Sequence, residues 1–196
     1  SFYKYHHIDD PDQFRNRLFK VWKAIGVLGR TYVAHEGINA QVSIPKQAFD
    51  DFRRSLGDTG FLKGVRLNVA VEDDGKSFFV LKIAVKKKIV ADGINDDRFN
   101  VENSGRHLDA AAFNKLSGDP GTIVVDMRNH YESEVGHFKN AICPDVDTFR
   151  EELQVAEDLM NEYKDKNLLM YCTGGIRCEK ASAWMKYKGF KNVFQL

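Results

Sequence analysis

Leu168-Leu-Met-Tyr-Cys-Thr-Gly-Gly-Ile-Arg-Cys-Glu-Lys-Ala181 is the stretch around which the chain is organised. Leu168 to Tyr171 is a short apolar run, the pattern of a buried strand. Cys172 ends that run, and Thr173, Gly174, Gly175 and Ile176 form a tight loop. From Arg177 the spacing turns helical, with Ala181, Trp184, Met185 and Lys188 three or four residues apart. A cysteine thus sits where a strand passes through a glycine loop into a helix N-terminus, the junction of an open α/β sheet.

That junction has a chemical use. Backbone N–H groups of a loop containing Gly174 and Gly175 can converge on one point, a nest for an anion. The helix adds its own unpaired N–H groups and the positive end of its dipole. A thiolate there is stabilised over the thiol, and in comparable sites its pKa falls to about 3.5–7.5. Such a sulfur is nucleophilic at neutral pH. The plain alternative is a buried cysteine followed by a turn, but Cys172, two glycines, Arg177 and a helix start coincide here. Cysteine phosphatases space their cysteine and arginine by five residues, wide enough to encircle a phosphate. Only four residues separate Cys172 from Arg177, a ring suited to the outer sulfur of a persulfide. The loop resembles the active-site loop of rhodanese domains.

The 196 residues suffice for one or two domains, and 43% of them are hydrophobic, so a packed core is expected. No apolar run approaches the roughly 18 residues of a membrane helix, and no signal peptide is visible. Three cysteines without framework spacing suggest a reducing compartment, and a soluble cytoplasmic protein is expected. Charge is uneven. Residues 1–93 hold 16 Lys/Arg and 11 Asp/Glu, a balance of +5; residues 94–196 hold 13 and 17, a balance of −4. The first part is therefore the one expected to meet a polyanion, although an ordinary solvated surface produces differences of this size.

Residues 1–93 read as a β-α-β-β-α-β unit, the split βαβ of ferredoxin-like folds. Phe2 to Ile8 is its first strand, with Tyr3 and Tyr5 on one face. A helix opened by Asp9-Asp10-Pro11 carries Phe14, Leu18, Val21, Trp22 and Ile25 as its buried stripe. Val27–Ala34 and Ile38–Ile44 are strands joined through His35-Glu36-Gly37. A helix from Pro45 buries Ala48, Phe49, Phe52 and Leu56. Val65, Leu67, Val69 and Val71 alternate as the last strand. Phe78–Val90 is apolar and basic at once. Its Lys82, Lys86, Lys87 and Lys88 are candidate phosphate contacts, or else the solvent side of a strand. Residues 94–106, rich in Gly, Asn and Asp, read as a linker.

Residues 107–196 alternate helix and strand: a helix at Ala111–Leu116 capped by Asp109, a strand at Thr122–Met127 and a helix at Thr148–Lys164. The cysteine strand, loop and helix follow, then a last strand at Asn192–Leu196. The helix at Thr148–Lys164 has Phe149, Leu153, Ala156, Leu159, Met160 and Tyr163 as its apolar positions. This order implies a parallel sheet covered by helices, with ligands at the carboxyl ends of its strands. Asp126-Met-Arg128 and Cys172 both lie at such ends and are expected to share a rim.

Asp126-Met-Arg128, Tyr131-Glu132 and Gly136-His-Phe-Lys-Asn-Ala-Ile142 look like the rhodanese pattern upstream of the catalytic cysteine. Together with Cys172-Thr-Gly-Gly-Ile-Arg-Cys-Glu-Lys-Ala181, Glu36-Gly-Ile-Asn39 and Val85-Lys-Lys-Lys88, the chain resembles the bacterial rhodanese-domain tRNA uridine hydroxylases, the UPF0176 family. The resemblance spans essentially the whole chain. It implies an acylphosphatase-like first domain, a rhodanese second domain, and oxygen-dependent conversion of the wobble uridine of tRNA to 5-hydroxyuridine. It also implies Cys172 as catalytic residue, tRNA as partner, and molecular oxygen with an electron donor as co-reactants. Rhodanese domains continue past the last strand with glycines and another helix, and this family adds a cysteine-bearing tail. Because the chain stops at Gln195-Leu196, a C-terminal truncation is expected.

The other candidates keep two readings each. Cys178 either resolves a persulfide or sulfenate on Cys172 or packs beneath the loop. Cys143 reads as a small buried residue. Arg177 either closes the anion cradle, the favoured reading, or pairs with a carboxylate. Asp126 and Arg128 orient the loop or substrate, or serve architecture, as rhodanese domains suggest. Glu36-Gly37-Ile38-Asn39 is a turn with a bulge, or a surface facing the second domain. The six histidines show no metal-ligand spacing, and no P-loop or dinucleotide motif occurs, so no resident cofactor is evident. Two function classes remain, a tRNA-modifying oxygenase and a persulfide sulfurtransferase drawing on a sulfur donor. A non-catalytic RNA-binding scaffold is the weaker third.

Overall fold

The computed structural model describes residues 1–70 and 77–196. The chain divides into two compact units, Ser1–Val90 and Ala91–Leu196.

The first unit contains β1 (Phe2–Tyr5), α1 (Pro11–Ala24), β2 (Leu28–Ala34), β3 (Gly37–Ser43), α2 (Phe49–Gly57) and β4 (Leu81–Val85). Its sheet runs β1-β3-β2-β4. β3 is antiparallel to both β1 and β2, so it lies between the two strands that α1 connects, as the split βαβ expects. Asp10 caps α1 by accepting the Gln13 N–H at 2.9 Å, and Pro11 occupies its first turn. Phe14, Leu18 and Trp22 of α1 pack with Phe52 and Leu56 of α2 onto Phe2, Val33, Ile38 and Ile83 of the sheet. Val21, expected on the buried stripe, is 40% exposed, because it lies one residue off the row that meets the sheet.

The fourth strand differs from the expectation. Val65–Ala70 is not a strand, and Val71 falls outside the described residues. The segment nonetheless follows the edge of β1. Ser1 and Asn68 exchange both backbone hydrogen bonds, at 2.7 and 2.8 Å, as one antiparallel pair does. Val65 and Leu67 pack on the core, whereas Val69 is 72% exposed. The strand that completes the sheet is β4, parallel to β2 on the opposite edge, from within the apolar-basic stretch. The His35-Glu36 connection is a turn, and Gly37 is required there: a Cβ at its φ of +143° would meet the Lys4 carbonyl oxygen at 2.1 Å.

The second unit has a four-stranded sheet in the order β5-β8-β7-β6, from β5 (Arg106–His107), β6 (Thr122–Asp126), β7 (Asn167–Tyr171) and β8 (Asn192–Gln195). All its pairs are parallel. Its helices are α3 (Ala110–Ser117), α4 (His130–Val135), α5 (Phe149–Met160) and α6 (Ile176–Tyr187). Asp109 and Thr148 cap α3 and α5 through the Ala112 and Glu151 N–H groups. The helix expected to run to Lys164 ends at Met160 and passes into a 3₁₀ turn, and of its apolar positions Leu159 is 48% and Tyr163 38% exposed.

Residues 94–106, expected as a linker, belong to the second unit and pack along α6. The Asp92 carboxylate is paired with Lys180, both side chains being buried. Gly105 donates its N–H to Ser182 Oγ at 2.8 Å, Tyr187 donates to Asp96 at 2.5 Å, and Phe99 meets the Trp184 ring edge-on at 5.7 Å. The Asp and Asn residues that suggested a linker close local turns instead. Asp96 accepts from the Arg98 N–H and Asn100 from the Glu102 N–H. Covered on this side as well, α6 buries Cys178, Lys180, Ala181, Ser182, Ala183 and Met185, far more than one amphipathic stripe.

Candidate active site

β7 delivers Cys172 to the carboxyl edge of the parallel sheet, and Gly175, at φ +86°, turns the chain into α6. The Gly175 N–H donates to Cys172 Sγ at 3.2 Å. The thiolate is held at about 6, first by the Cys178 thiol, which donates to it, against the opposing effect of burial. The Cys178 and Gly174 N–H groups and the Arg177 charge add to the same effect. The nest expected from the glycine loop is therefore formed, and it surrounds the sulfur itself. Cys178 is fully buried, and burial pushes its own thiol well up, so it serves as a donor to Cys172 in this state. All three cysteines are free thiols.

Arg177 does not close the cradle. Its guanidinium binds the Glu132 carboxylate of α4 in a bidentate pair, Nη1 to Oε2 at 2.8 Å and Nη2 to Oε1 at 3.0 Å. Burial opposes ionisation of Glu132, but the Arg177 and Thr173 hydrogen bonds prevail and hold its carboxyl at about 2. Thr173 donates to Glu132 at 2.5 Å, so this carboxylate ties α4 to both sides of the cysteine loop. Glu132 also accepts the Asn129 N–H at 3.2 Å, closing a capping box at the start of α4.

Asp126 and Arg128 share the rim as expected, in an architectural role. Fully buried Asp126 accepts Arg128 Nε at 2.8 Å, Arg128 Nη2 at 2.6 Å and the Tyr171 hydroxyl at 2.7 Å. Asp126 stands opposite Tyr171 in the β6–β7 register, so this bond locks the residue before Cys172. Arg128 also donates to the Gly136 carbonyl at 2.6 Å, fixing the segment after α4. Cys143 is half-buried near this network, and burial pushes its thiol up.

Glu152 of α5 is fully buried, and neither carboxylate oxygen finds a hydrogen bond among the described residues. Burial raises its carboxyl to about 8, with the charges of Arg177, Asp126, Cys172 and Glu132 also acting on it. A carboxyl held at that value keeps its proton at pH 7, within reach of the charges of the cysteine site.

Two family descriptions account for most of the chain. Residues 1–89 match the UPF0176 acylphosphatase-like domain, and residues 109–196 match the rhodanese-like domain. A Leptospira interrogans protein named tRNA uridine(34) hydroxylase is 55% identical over 196 residues, all of this chain and 53% of its own length. Proteins of the same name from Escherichia coli and Escherichia fergusonii are each 54% identical over 197 residues. The chain thus carries a UPF0176 acylphosphatase-like domain followed by a rhodanese-like domain. It spans about half the length of these curated relatives. A solved structure from Rhodopseudomonas palustris, described as a possible tyrosine phosphatase, is 25% identical, covering 50% of this chain and 77% of its own, with a TM-score of 0.39.

In the UPF0176 domain, the basic run lies at the end of β4 and beyond it. Lys86 and Lys87 are exposed and Lys88 is half-buried. Lys86 Nζ stands 5.7 Å from the centre of the Tyr32 ring. The turn after it is pinned to the β2–β3 connection, with the Ile89 N–H donating to Glu36 at 2.7 Å and Asn39 donating to the Ile89 carbonyl at 3.2 Å.

In the rhodanese-like domain, the sequence reading passed over Glu132 and Glu152 as site residues. Glu132 stood within the quoted family pattern but carried no assigned role. For Glu152 a signal existed. It lies three residues after Phe149 and one before Leu153, a carboxylate on the stripe that α5 buries.

Proposed function

We propose that this chain carries the catalytic cysteine of a cytoplasmic enzyme that hydroxylates the wobble uridine of tRNA to 5-hydroxyuridine, using molecular oxygen. The observation that carries the reading is Cys172 held as a thiolate at about 6 in its N–H nest, in a chain whose curated relatives are named for tRNA uridine(34) hydroxylation. A thiolate adding to C6 of uridine makes C5 carbanion-like, the carbon at which oxygen is introduced. Loss of the C5 proton then expels the thiolate from C6 and restores the double bond; the second oxygen atom leaves as water, so a two-electron donor is a further co-reactant. Glu152, its carboxyl raised to about 8, is a second acid of this domain that can hold a proton at neutral pH. The three free cysteines accord with a reducing cytoplasm.

The runner-up is a persulfide sulfurtransferase, favoured by the small ring between Cys172 and Arg177. One experiment separates them: mass analysis of tRNA nucleosides from cells lacking the protein, complemented with the parent or with Cys172→Ser. The hydroxylase reading expects 5-hydroxyuridine restored by the parent alone. Intact hydroxylation with loss of thiolated uridine would establish the sulfurtransferase instead.

A further inference from the structure

The two faces of the first unit's sheet have different chemistry. Phe2, Val33, Ile38, Ala40 and Ile83 point into the core. The alternate positions point outward: Tyr3 and Tyr5 on β1, Arg30 and Tyr32 on β2, Asn39 and Gln41 on β3, Lys82 on β4. The register orders them into rows. Tyr3 and Tyr32 both stand opposite Asn39, and Tyr32 stands opposite Ala84, so two rings share one row beside a small residue. The neighbouring row is Gln41, Arg30 and Lys82. Tyr32 lies between two cations, with Arg30 Cζ at 5.8 Å and Lys86 Nζ at 5.7 Å from its ring centre. The Tyr3 and Tyr5 rings are 6.1 Å apart. No outward position of β1 to β4 carries a carboxylate.

We propose that this face is a stacking platform for single-stranded RNA, and that it receives the unpaired tRNA loop containing the target uridine. The inference rests on the tRNA reading above and adds where and how the RNA is held. Unpaired bases present flat π-faces, which stack on Tyr3 and Tyr32. The phosphates between them meet Arg30, Lys82 and Lys86, with no carboxylate at the strands' outward positions to repel them. Gln41, whose amide oxygen accepts from Arg30 Nη2 at 3.3 Å, brings its amide N–H groups to the edges of stacked bases. A duplex buries its base faces and leaves the rings idle, and an acidic protein surface uses the cations but not the rings. Single-stranded RNA uses both.

The test measures Kd of the full chain for a hairpin RNA with an anticodon-like loop, for a fully paired RNA of equal length and for polyglutamate. The hairpin should bind tightest. Tyr3→Ala with Tyr32→Ala should weaken it by about 30-fold or more, the effect of losing two base–aromatic stacks. Tyr3→Phe with Tyr32→Phe should stay within about twofold, because the π-faces remain. Lys82→Ala with Lys86→Ala should reduce the log–log salt slope by about 1.4, two single-strand phosphate contacts. Unchanged hairpin affinity in the alanine pair would overturn the platform. So would equal loss in the alanine and phenylalanine pairs, or tighter binding of duplex or polyglutamate. The nucleoside assay with Cys172→Ser does not depend on these rings, so failure of the platform is distinguishable from failure of the tRNA reading.

Discussion

Glu132 takes both terminal nitrogens of Arg177, at 2.8 and 3.0 Å, and thereby turns a candidate ligand-binding cation into a fixed element of the cysteine loop. Arg177 still acts on Cys172 through its charge, but its donors are committed to a carboxylate. Glu132→Gln should expose more of that positive charge to the sulfur and lower the Cys172 pKa. Arg177→Ala should raise it. Each shift should be about half a pH unit or more, read from iodoacetamide alkylation rates against pH. Shifts of the same sign in both variants would refute this electrostatic account.

Alkylation of Cys172 in the parent should titrate near pH 6. Cys178→Ala removes the largest cause of that low value and should move the midpoint upward. The folded value lies below that of a free cysteine, about 8.5. Ionised Cys172 therefore contributes stability that is complete above pH 8.5 and is lost as pH falls through 6. Urea unfolding of the parent and Cys172→Ser should diverge as pH rises from about 6 to 8.5 and run parallel outside that window.

Glu152 has the opposite linkage. Its carboxyl is raised to about 8, so between its unfolded value and 8 the unfolded state is ionised while the native state keeps the proton. It thus lowers stability as pH rises through that window, by up to about 1.4 kcal/mol per pH unit. Glu152→Gln should flatten this decline and gain most over the parent near pH 8. A Glu152→Gln profile parallel to the parent from pH 5 to 8 would show that the carboxyl is not held neutral.

The Asp92–Lys180 pair ties the segment before β5 to the buried side of α6. Lys180→Met alone leaves Asp92 buried without its cation and should cost about 3–5 kcal/mol in urea unfolding. Asp92→Leu combined with Lys180→Met should recover most of that loss, since both charges are then gone. A double variant no more stable than Lys180→Met would argue against the pair as the cause.

The ring from Cys172 to Arg177 should accept a sulfur-sized group and reject a phosphate ester. Its N–H groups already converge on Sγ, with Gly175 at 3.2 Å, and Arg177 is not available to a phosphate. A tetrahedral phosphate would sit above the ring with donors unpaired, at about 1–3 kcal/mol per buried group. Intact mass after thiosulfate treatment should show one added sulfur in the parent and none in Cys172→Ser. Aryl phosphate hydrolysis should not exceed background; measurable turnover would sink the size argument.

The sequence by itself determined the parts that local patterns encode. Apolar alternation, Asp10 and Asp109 as caps, and the glycines of the cysteine loop placed most strands and helices. Cys172 was legible because strand end, glycine loop and helix start are contiguous, so chain geometry alone builds the nest. Tertiary structure decided what depends on residues distant in the chain. The partner of Arg177 lies 45 residues away, and no local spacing distinguishes a guanidinium that binds a ligand from one that binds Glu132. Glu152 became a buried neutral acid because α5 turns that position inward, where no donor among the described residues reaches it. The 94–106 stretch has a linker's composition because closed turns and free linkers use the same Asp, Asn and Gly residues; only its packing on α6 separates them. The final strand of the first unit was misplaced for a related reason. Val65–Ala70 alternates like a strand, but alternation describes a strand's faces, whereas pairing along its length depends on which edges the fold leaves open.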